Sequence, residues 1–148
     1  MGIKAILQNI ELFNGLMEGE LNQVAAICQE MALSEGDVIA VQDETSSELF
    51  IITKGLVEIL VNDKQEPSHN RVVANLGTGQ IIGEMGLVDQ GLRSATVRSI
   101  AQPTVVQVIH YGDFLTLCEN NTHIGYIIMR NLAADISFKL RRTNIVSG

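Results

Sequence analysis

Long apolar runs are absent from this sequence. Its 148 residues contain no stretch of about 18 uninterrupted apolar residues, so no membrane-spanning helix is predicted. Basic residues are also few, because 10 Lys and Arg stand against 17 Asp and Glu and the formal net charge is −7. A large nucleic-acid surface needs a basic patch, so we expect neither a membrane nor a nucleic acid to bind this chain alone. One arginine is nevertheless enough for a single small phosphate ligand.

Cysteine occurs only twice, at Cys28 and Cys118, which are far apart and flanked by apolar residues. This spacing gives no disulfide framework and no metal-binding pattern. We therefore predict two buried free thiols in a reducing compartment, and a cytoplasmic location for the protein.

The patterns of the common catalytic sites are missing as well. There is no Gly-Lys-Ser/Thr triplet, which excludes a P-loop, and no Ser/His/Asp or Cys/His arrangement is evident. The three histidines, His69, His110 and His123, are predicted in a loop, at a strand end and at a helix start. A metal enzyme of the cupin type needs several histidines at close strand spacing. We predict no enzyme activity, no metal and no cofactor, and keep the cupin enzyme as an alternative that metal analysis would test.

The sequence is typical of one folded domain covering residues 1–148, since 46% of its residues are apolar. Residues 1–30 and 112–143 are predicted to be helical, and residues 31–110 to be β-structure. In the middle block, short runs rich in Val and Ile alternate with Gly, Asp, Asn and Thr, which predicts an antiparallel sandwich or barrel. The six predicted strands are residues 38–41, 49–53, 56–61, 71–76, 95–100 and 104–109.

The two helical blocks carry start signals and an apolar stripe. Glu18 and Glu20 supply acidic residues at the predicted start of a helix in the first block. Gly112 and Asp113 are predicted to cap a short helix in the last block. A longer helix is expected after it, with apolar residues every four positions that would pack on the β-structure. These residues are Ile124, Ile128, Leu132, Ile136 and Leu140.

One segment, residues 83–97, combines groups that suit a nucleotide. It reads Gly-Glu-Met-Gly-Leu-Val-Asp-Gln-Gly-Leu-Arg-Ser-Ala-Thr-Val. Free backbone N–H groups at the start of a short helix can point at a phosphate, and Arg93 can donate two parallel hydrogen bonds to it. Glu84, when ionised, only accepts hydrogen bonds and therefore suits a sugar hydroxyl. Because phosphate plus ribose make a nucleotide, we predict a nucleotide site here.

This pattern resembles the phosphate-binding cassette of the cyclic nucleotide-binding domain family, and residues 83–97 are called the cassette below. The resemblance covers almost the whole chain and includes Glu35-Gly36-Asp37-Val38 and Glu48-Leu49-Phe50-Ile51-Ile52-Thr53-Lys54-Gly55. Two departures are a missing glycine at Gln42-Asp43-Glu44 and Leu92 where some members carry proline or a charge. The resemblance implies an α+β, mainly β fold, in which an antiparallel β jelly-roll barrel lies between N-terminal and C-terminal helices.

The resemblance also implies roles for individual residues of the cassette. Gly83 would open it, and Glu84 would bind the ribose 2′-hydroxyl. Arg93 would bind the exocyclic phosphate oxygens, and Ser94 is the small residue that follows the family arginine. Further backbone N–H groups would complete the phosphate cradle, namely those of Met85, Gly86, Leu87 and Ala95.

Candidates outside the cassette come from a second part of the resemblance. The tail from residue 139 to residue 144 resembles the long-helix segment of bacterial catabolite activators, in which a basic residue and a Thr-Ser pair approach the ligand. That comparison makes Lys139, Thr143 and Asn144 candidate ligand contacts. It also makes Ile59 and Val73 candidate apolar contacts to the base. The alternative for the basic tail is a set of cations beside a helix C-terminus.

The implied function is a sensor or regulatory module that binds a 3′,5′-cyclic nucleotide without making or breaking a bond. Bacterial activators with serine at the position of Ser94 bind cyclic AMP, and guanine-preferring members often carry threonine there. Cyclic AMP is therefore the expected ligand, and cyclic GMP is the second candidate. The ligand is expected to order the cassette and reposition the C-terminal helices. A homodimer through the last helix is also expected, because this helix often forms the dimer contact in the family.

Three other functions remain open from the sequence. The chain could be the sensor half of a Crp/Fnr-type transcription regulator that lacks its DNA-binding part. It could be a regulatory module of an enzyme or a channel, or a degenerate domain used only for protein contacts. The sequence downstream of this chain would distinguish the first two, and a ligand titration would test the third.

Overall fold

The computed structural model describes residues 2–63, 65–66 and 69–143, which form two β-sheets flanked by helices. The helices are α1 (Ile3–Leu7), α2 (Glu18–Ala26), α3 (Gly86–Asp89), α4 (Tyr111–Asn120) and α5 (Thr122–Thr143), with a 3-10 helix at Glu11–Phe13. The strands are β1 (Gln29–Leu33), β2 (Val38–Ala40), β3 (Glu48–Lys54), β4 (Leu56–Asn62), β5 (Asn70–Gly77), β6 (Ile81–Ile82), β7 (Thr96–Ser99) and β8 (Thr104–His110).

The strands pair antiparallel in two four-stranded sheets, in the orders β1-β8-β3-β6 and β2-β7-β4-β5. This arrangement confirms the predicted jelly-roll type of fold. The prediction of a barrel is wrong, because the sheets pack face to face and no strand ladder within the described residues closes them into a ring. Buried apolar side chains from both sheets fill the space between them, including Phe50, Ile52, Val57, Val97 and Val106.

Strand β3 is buried on both of its faces. Phe50 and Ile52 point between the sheets, whereas Leu49 and Ile51 belong to a second apolar cluster that also contains residues of the helices and is called the helical cluster below. In that cluster Phe13 stacks on the ring of another helix residue, Phe114, with 6.2 Å between the ring centroids. Burial on both faces explains why β3 reads as a continuous apolar run and shows no alternation of apolar and polar residues.

All six strands predicted from the sequence are present, with bounds that differ by at most one residue at either end. Two strands were not predicted, β1 (Gln29–Leu33) and β6 (Ile81–Ile82). The predicted helical block 1–30 is therefore too long, since α2 ends at Ala26. The β1 sequence Gln-Glu-Met-Ala-Leu has little strand preference of its own, and it forms a strand because it pairs along β8.

The predicted helix starts were right in the first block and wrong in the last. Helix α2 begins at Glu18, as its acidic residues predict, and the Glu20 side chain accepts a hydrogen bond from the Met17 N–H at 3.0 Å. Helix α4 begins at Tyr111, so Gly112 lies inside its first turn and does not cap it. Strand β8 runs directly into this helix, which leaves no separate capping turn.

The apolar stripe of α5 is confirmed over the first half of the helix only. Ile124, Ile128 and Leu132 are buried in the helical cluster. Ile136 is half-buried and Leu140 is 57% exposed, so the second half of α5 is not covered by the described part of the chain.

Both cysteines are free thiols, but only one is fully buried. Cys118 lies in the helical cluster, whereas Cys28 is half-buried and donates a hydrogen bond to the Val24 carbonyl at 3.4 Å. Burial raises the pKa of the Cys28 thiol to about 11. Among the described residues no helix is long and apolar enough to cross a membrane. In that same part of the chain, no three His, Cys, Asp or Glu side chains come together as metal ligands would.

Candidate functional site

A cavity of about 410 Å³ lies between the cassette and the sheet formed by β2, β7, β4 and β5. This volume lies within the range that small-molecule sites occupy. One wall is apolar and is formed by Ala40, Ile59, Leu76, Ile82 and Val97. The opposite wall is polar and is formed largely by the cassette, including Gly83, Glu84, Arg93 and Ser94. The cavity therefore offers an apolar surface to one part of a ligand and charged groups to another.

Gly83 allows the backbone at the start of the cassette to lie close to the side chain of Arg93. Its φ of +84° lies in the left-handed region that favours glycine. A Cβ atom at this position would also collide with Arg93 Nη1 and would lie 3.3 Å from the Glu48 carbonyl oxygen. Both the backbone conformation and the available space therefore require glycine at the start of the cassette.

Arg93 is held in the structure from both its backbone and its side chain. Its N–H donates to the Glu44 carbonyl and its own carbonyl accepts from the Asp43 N–H, each at 2.8 Å. The side chain is only 8% exposed, and Nη2 donates to the Glu48 carbonyl at 2.7 Å. The guanidinium also lies 5.5 Å from the centroid of the Phe50 ring, and the Glu48 carboxylate lies 3.5 Å from Nη2. These contacts fix the direction of the guanidinium.

The second terminal nitrogen of the guanidinium has a different environment. Arg93 Nη1 is buried, yet it has no hydrogen-bond partner within the described residues. It lies beside Gly83 at the wall of the cavity. A buried donor without a partner costs free energy, and the cost is larger for a charged group. An anionic acceptor in the cavity would remove this cost, so the site is suited to a phosphate.

Glu84 is the second ionisable group of the cavity wall. The side chain is half-buried, and desolvation raises the pKa of its carboxyl group above the ordinary value of 4.5. A hydrogen bond from its own backbone N–H and the positive charge of Lys139 on α5 oppose this shift in the pKa, and the negative charge of Asp135 on α5 adds to it. A carboxylate that is removed from water can be stabilised by hydrogen-bond donors such as ligand hydroxyls.

The short helix α3 follows these residues in the cassette. Met85 precedes it and Gly86 is its first residue, and both line the cavity. The Leu87 N–H is already bonded to the Glu84 carbonyl at 3.2 Å, and the Leu87 side chain is buried in the helical cluster. Leu87 therefore anchors the cassette to the helical cluster through its side chain. Its predicted contact with a ligand stays a prediction.

The structure brings most of the predicted site residues to one cavity. They are Gly83, Glu84, Met85, Gly86, Arg93, Ser94, Ala95 and Ile59. Val73 does not line the cavity and is 49% exposed. It lies at a β-bulge, where Ile59 pairs with Ala74 and Leu60 pairs with Val72, so Val73 has no partner on β4 and turns outward.

The two described candidates on the C-terminal helix, Lys139 and Thr143, do not line the cavity either. Lys139 is exposed, and its ammonium group lies 2.9 Å from Asp135. The Thr143 hydroxyl donates to the Lys139 carbonyl at 2.9 Å. Asn144 lies outside the described residues. The proposed contacts of these three residues with a ligand stay predictions.

Sequence reasoning missed several residues that shape the site, including most of the apolar wall. Tyr111 lines the cavity and its hydroxyl donates to the Gly83 carbonyl at 2.6 Å. Ser46 also lines the cavity, and its hydroxyl donates to the Gly91 carbonyl at 2.8 Å. Leu76 adds to the apolar wall. Tyr111 on α4 and Ser46 before β3 are distant from the cassette in sequence, and no local pattern marks Leu76 on β5, so only the folded arrangement reveals these residues.

The comparison with protein families identifies the class of the chain. Residues 30–121 match the family model described as the cyclic nucleotide-binding domain. This match covers more than half of the chain and includes the cassette. The chain therefore belongs to the cyclic nucleotide-binding domain family.

Three similar proteins illustrate how this domain is used. A cGMP-dependent protein kinase of Eimeria tenella is 26% identical over 125 residues, which are 84% of this chain and 12% of the kinase. The cyclic AMP receptor protein of Thermus thermophilus is 27% identical over 134 residues, 90% of this chain and 59% of the receptor. The regulatory domain of Toxoplasma gondii PKA, solved with cAMP, is 25% identical with a TM-score of 0.71, covering 78% of this chain and 42% of that one.

The chain spans less than two thirds of the length of each of these proteins. The match to the kinase covers a small part of it, and the solved PKA match is a regulatory domain. The similarity therefore extends to a regulatory domain type and not to a catalytic one.

Proposed function

We propose that this chain binds a 3′,5′-cyclic nucleotide in the 410 Å³ cavity and serves as a sensor or regulatory module. The observation that carries the proposal is the buried Nη1 of Arg93, which has no partner among the described residues and lies at the wall shared with Glu84. The exocyclic phosphate would accept hydrogen bonds from Arg93, and the ribose 2′-hydroxyl would donate to Glu84. The base would lie against the apolar wall that contains Ile59.

Cyclic AMP is the ligand that we propose, with cyclic GMP as the second candidate. The similar proteins include a cyclic AMP receptor and a cGMP-dependent kinase, so membership in the family leaves both open. Ser94 lines the cavity beside Arg93, and serine at this position accompanies adenine binding in the bacterial activators that the sequence resembles. The proposal therefore rests on Ser94 for the choice of base.

The output of the module would pass through the C-terminal helix. The apolar face of the first half of α5 is buried, whereas residues 133–143 are largely exposed. The charges of Asp135 and Lys139 already act on Glu84, so a ligand at Glu84 would change the electrostatic energy of α5. Phe138 and Leu140 are 59% and 57% exposed on this half, and we propose that they contact a second copy of the chain.

The same proposal covers the remaining properties of the protein. Binding makes and breaks no bond, so the chain is not an enzyme and needs no cofactor. The net charge of −7 argues against a nucleic-acid partner for this chain alone. Two free thiols suit a reducing compartment, and we place the protein in the cytoplasm on that basis. The sensor half of a transcription regulator and a module of a longer regulatory protein are the two contexts we propose.

Thermal melting with and without nucleotides tests the proposed function. A ligand that binds only the folded state adds about 2.7 kcal/mol at 100 times its dissociation constant, which is a shift of about 5–10 °C for a domain of this size. Cyclic AMP should give this shift, and 5′-AMP should give much less. If millimolar cyclic AMP and cyclic GMP both leave the melting temperature unchanged, the domain is degenerate and the proposal is wrong.

A further inference from the structure

Tyr111 connects the cassette to the helices, although no sequence motif marks it. It is the first residue of α4 and is 3% exposed. Its hydroxyl donates to the Gly83 carbonyl at 2.6 Å, which is a short O–H···O hydrogen bond. Its backbone N–H donates to the Ser47 carbonyl at 2.9 Å, so the position of the residue is fixed from both ends.

The packing around the phenol ring restricts the cassette at a second point. A Cβ atom at Gly86 would collide with the Tyr111 hydroxyl and would lie 2.7 Å from its Cζ. It would also lie 2.8 Å from the Ser46 Oγ. Real Cβ atoms do not make such contacts, so the ring touches the backbone at the start of α3. The phenol therefore lies against the cassette both before and after Glu84.

The hydrogen bond to Gly83 also restricts the orientation of the next residue. The peptide between Gly83 and Glu84 is planar and trans, so its carbonyl and its N–H point in opposite directions. Because Tyr111 holds the carbonyl, it restricts rotation of this peptide and therefore the directions in which Glu84 can leave the backbone. Arg93 is held separately, through Glu48 and Phe50.

We propose that Tyr111 is a positioning residue for Glu84, and that its hydroxyl links the ribose end of the site to helix α4. This inference rests on the proposed function, because it assigns Tyr111 to the same site. Movement of α4, and of α5 that follows it at Thr122, would reach the ligand through this hydrogen bond. The phosphate end at Arg93 would be affected much less.

The test compares Tyr111→Phe with a matched control, Tyr126→Phe. These are the two tyrosines of the chain, and Tyr126 is 62% exposed on α5. Affinities for cyclic AMP and for 2′-deoxy cyclic AMP are measured by isothermal titration. Tyr111→Phe should weaken cyclic AMP binding by about two- to tenfold, which corresponds to one hydrogen bond. It should weaken binding of the 2′-deoxy ligand less, because that ligand makes no contact with Glu84.

Hydrogen exchange of the free protein gives a second readout that needs no ligand. The backbone amides of residues 84–87 should exchange faster in Tyr111→Phe and at the wild-type rate in Tyr126→Phe. Equal losses of affinity for both ligands, or unchanged exchange at these amides, would overturn the role of Tyr111. If the wild-type protein binds neither cyclic nucleotide, the proposed function is wrong, and the exchange rates alone then decide whether Tyr111 holds the cassette.

Discussion

Glu20 and Glu84 are both removed from water, but the protein treats the two carboxylates in opposite ways. Glu20 is 5% exposed and accepts hydrogen bonds from the Met17 N–H at 3.0 Å and from His123 Nδ1 at 2.7 Å. Burial alone would raise its pKa, and these hydrogen bonds lower the pKa below the ordinary value of 4.5. Desolvation dominates at Glu84, and its pKa is raised.

The difference separates a charge that is satisfied within the fold from one that is not. Glu20 joins the start of α2 to the start of α5 and has its partners within the fold. At the cavity, desolvation of Glu84 outweighs the hydrogen bond from its own N–H and the charge of Lys139, and Arg93 Nη1 has no partner in the described residues. Charged groups whose environment disfavours their charge mark binding sites more often than satisfied ion pairs do. This contrast supports a charged ligand in the cavity.

The largest expected effect is the loss of binding in Arg93→Leu. Removing one member of a buried ion pair costs about 3–5 kcal/mol, which is a loss of affinity of two orders of magnitude or more. Arg93→Lys should also be damaging, because an ammonium group cannot reproduce the two-pronged contact with phosphate. Isothermal titration with cyclic AMP measures both. Arg130→Leu, a substitution on α5 away from the cavity lining, is the control, and normal binding by Arg93→Lys would contradict the assignment of the phosphate site.

A smaller loss of affinity is expected in Glu84→Ala. A hydrogen bond to a charged acceptor contributes about 1.5–3 kcal/mol, or about 10- to 150-fold in affinity for cyclic AMP. The wild-type protein should bind 2′-deoxy cyclic AMP weakly, and the mutation should cost little more with that ligand. The exposed Glu30→Ala serves as the control. Equal losses with both ligands would mean that Glu84 supports the shape of the cassette and does not contact the ribose.

Glu20→Ala should reduce stability and leave ligand affinity unchanged. The mutation leaves the Met17 N–H and His123 without their acceptor, at a cost of about 1–3 kcal/mol in the free energy of unfolding. The pKa of Glu20 is lowered in the folded state. The contribution of its carboxylate to the free energy of unfolding is therefore fully present above pH 4.5 and is lost as the pH falls through the folded-state pKa. Urea unfolding between pH 7 and pH 3 measures this loss. The exposed Glu18→Ala should change stability much less, and a drop in cyclic AMP affinity in Glu20→Ala would remove the distinction between the two carboxylates.

Glu84→Gln should increase stability, in contrast to Glu20→Ala, and its effect should be the smallest of the four predicted here. The folded pKa of Glu84 is raised, so its ionised form is disfavoured in the fold, and the folded state loses stability as the pH rises through that pKa. Replacing the charge should therefore stabilise the ligand-free protein at pH 7 by about 0.5–2 kcal/mol, as relieving a functional site often does. Glu20→Gln, melted alongside, should be destabilised. A lower melting temperature for Glu84→Gln would show that its carboxylate is satisfied within the fold.

Much of the architecture could be predicted from the sequence, because local signals agree with the fold. The six Val- and Ile-rich strands and the acidic start of α2 at Glu18 are local patterns. Strand β1 and the bulge at Val73 could not be predicted, since both depend on pairing with another strand. The prediction of a closed barrel was wrong for the same reason, because the pairing that would join the two sheets depends on the whole fold.

The candidate site was predictable to the extent that it lies in one segment. Gly83, Glu84 and Arg93 are close in sequence, and their residue types together with the family resemblance predict a nucleotide site. Tyr111 and the Glu48 carbonyl are brought to the cassette by α4 and β3, and no local pattern indicates a contact across that distance. The environment of each charge, which distinguishes Glu84 from Glu20, likewise depends on the folded structure.

A crystal structure of the chain grown with cyclic AMP tests the proposed binding mode most directly. We expect the ligand in the cavity, with exocyclic phosphate oxygens within hydrogen-bond distance of Arg93 Nη1 and the ribose 2′-hydroxyl on the Glu84 carboxylate. The base should lie against Ile59. A cyclic nucleotide bound with its phosphate away from Arg93, or a cavity that stays empty at saturating ligand while the nucleotide binds elsewhere, would contradict this binding mode.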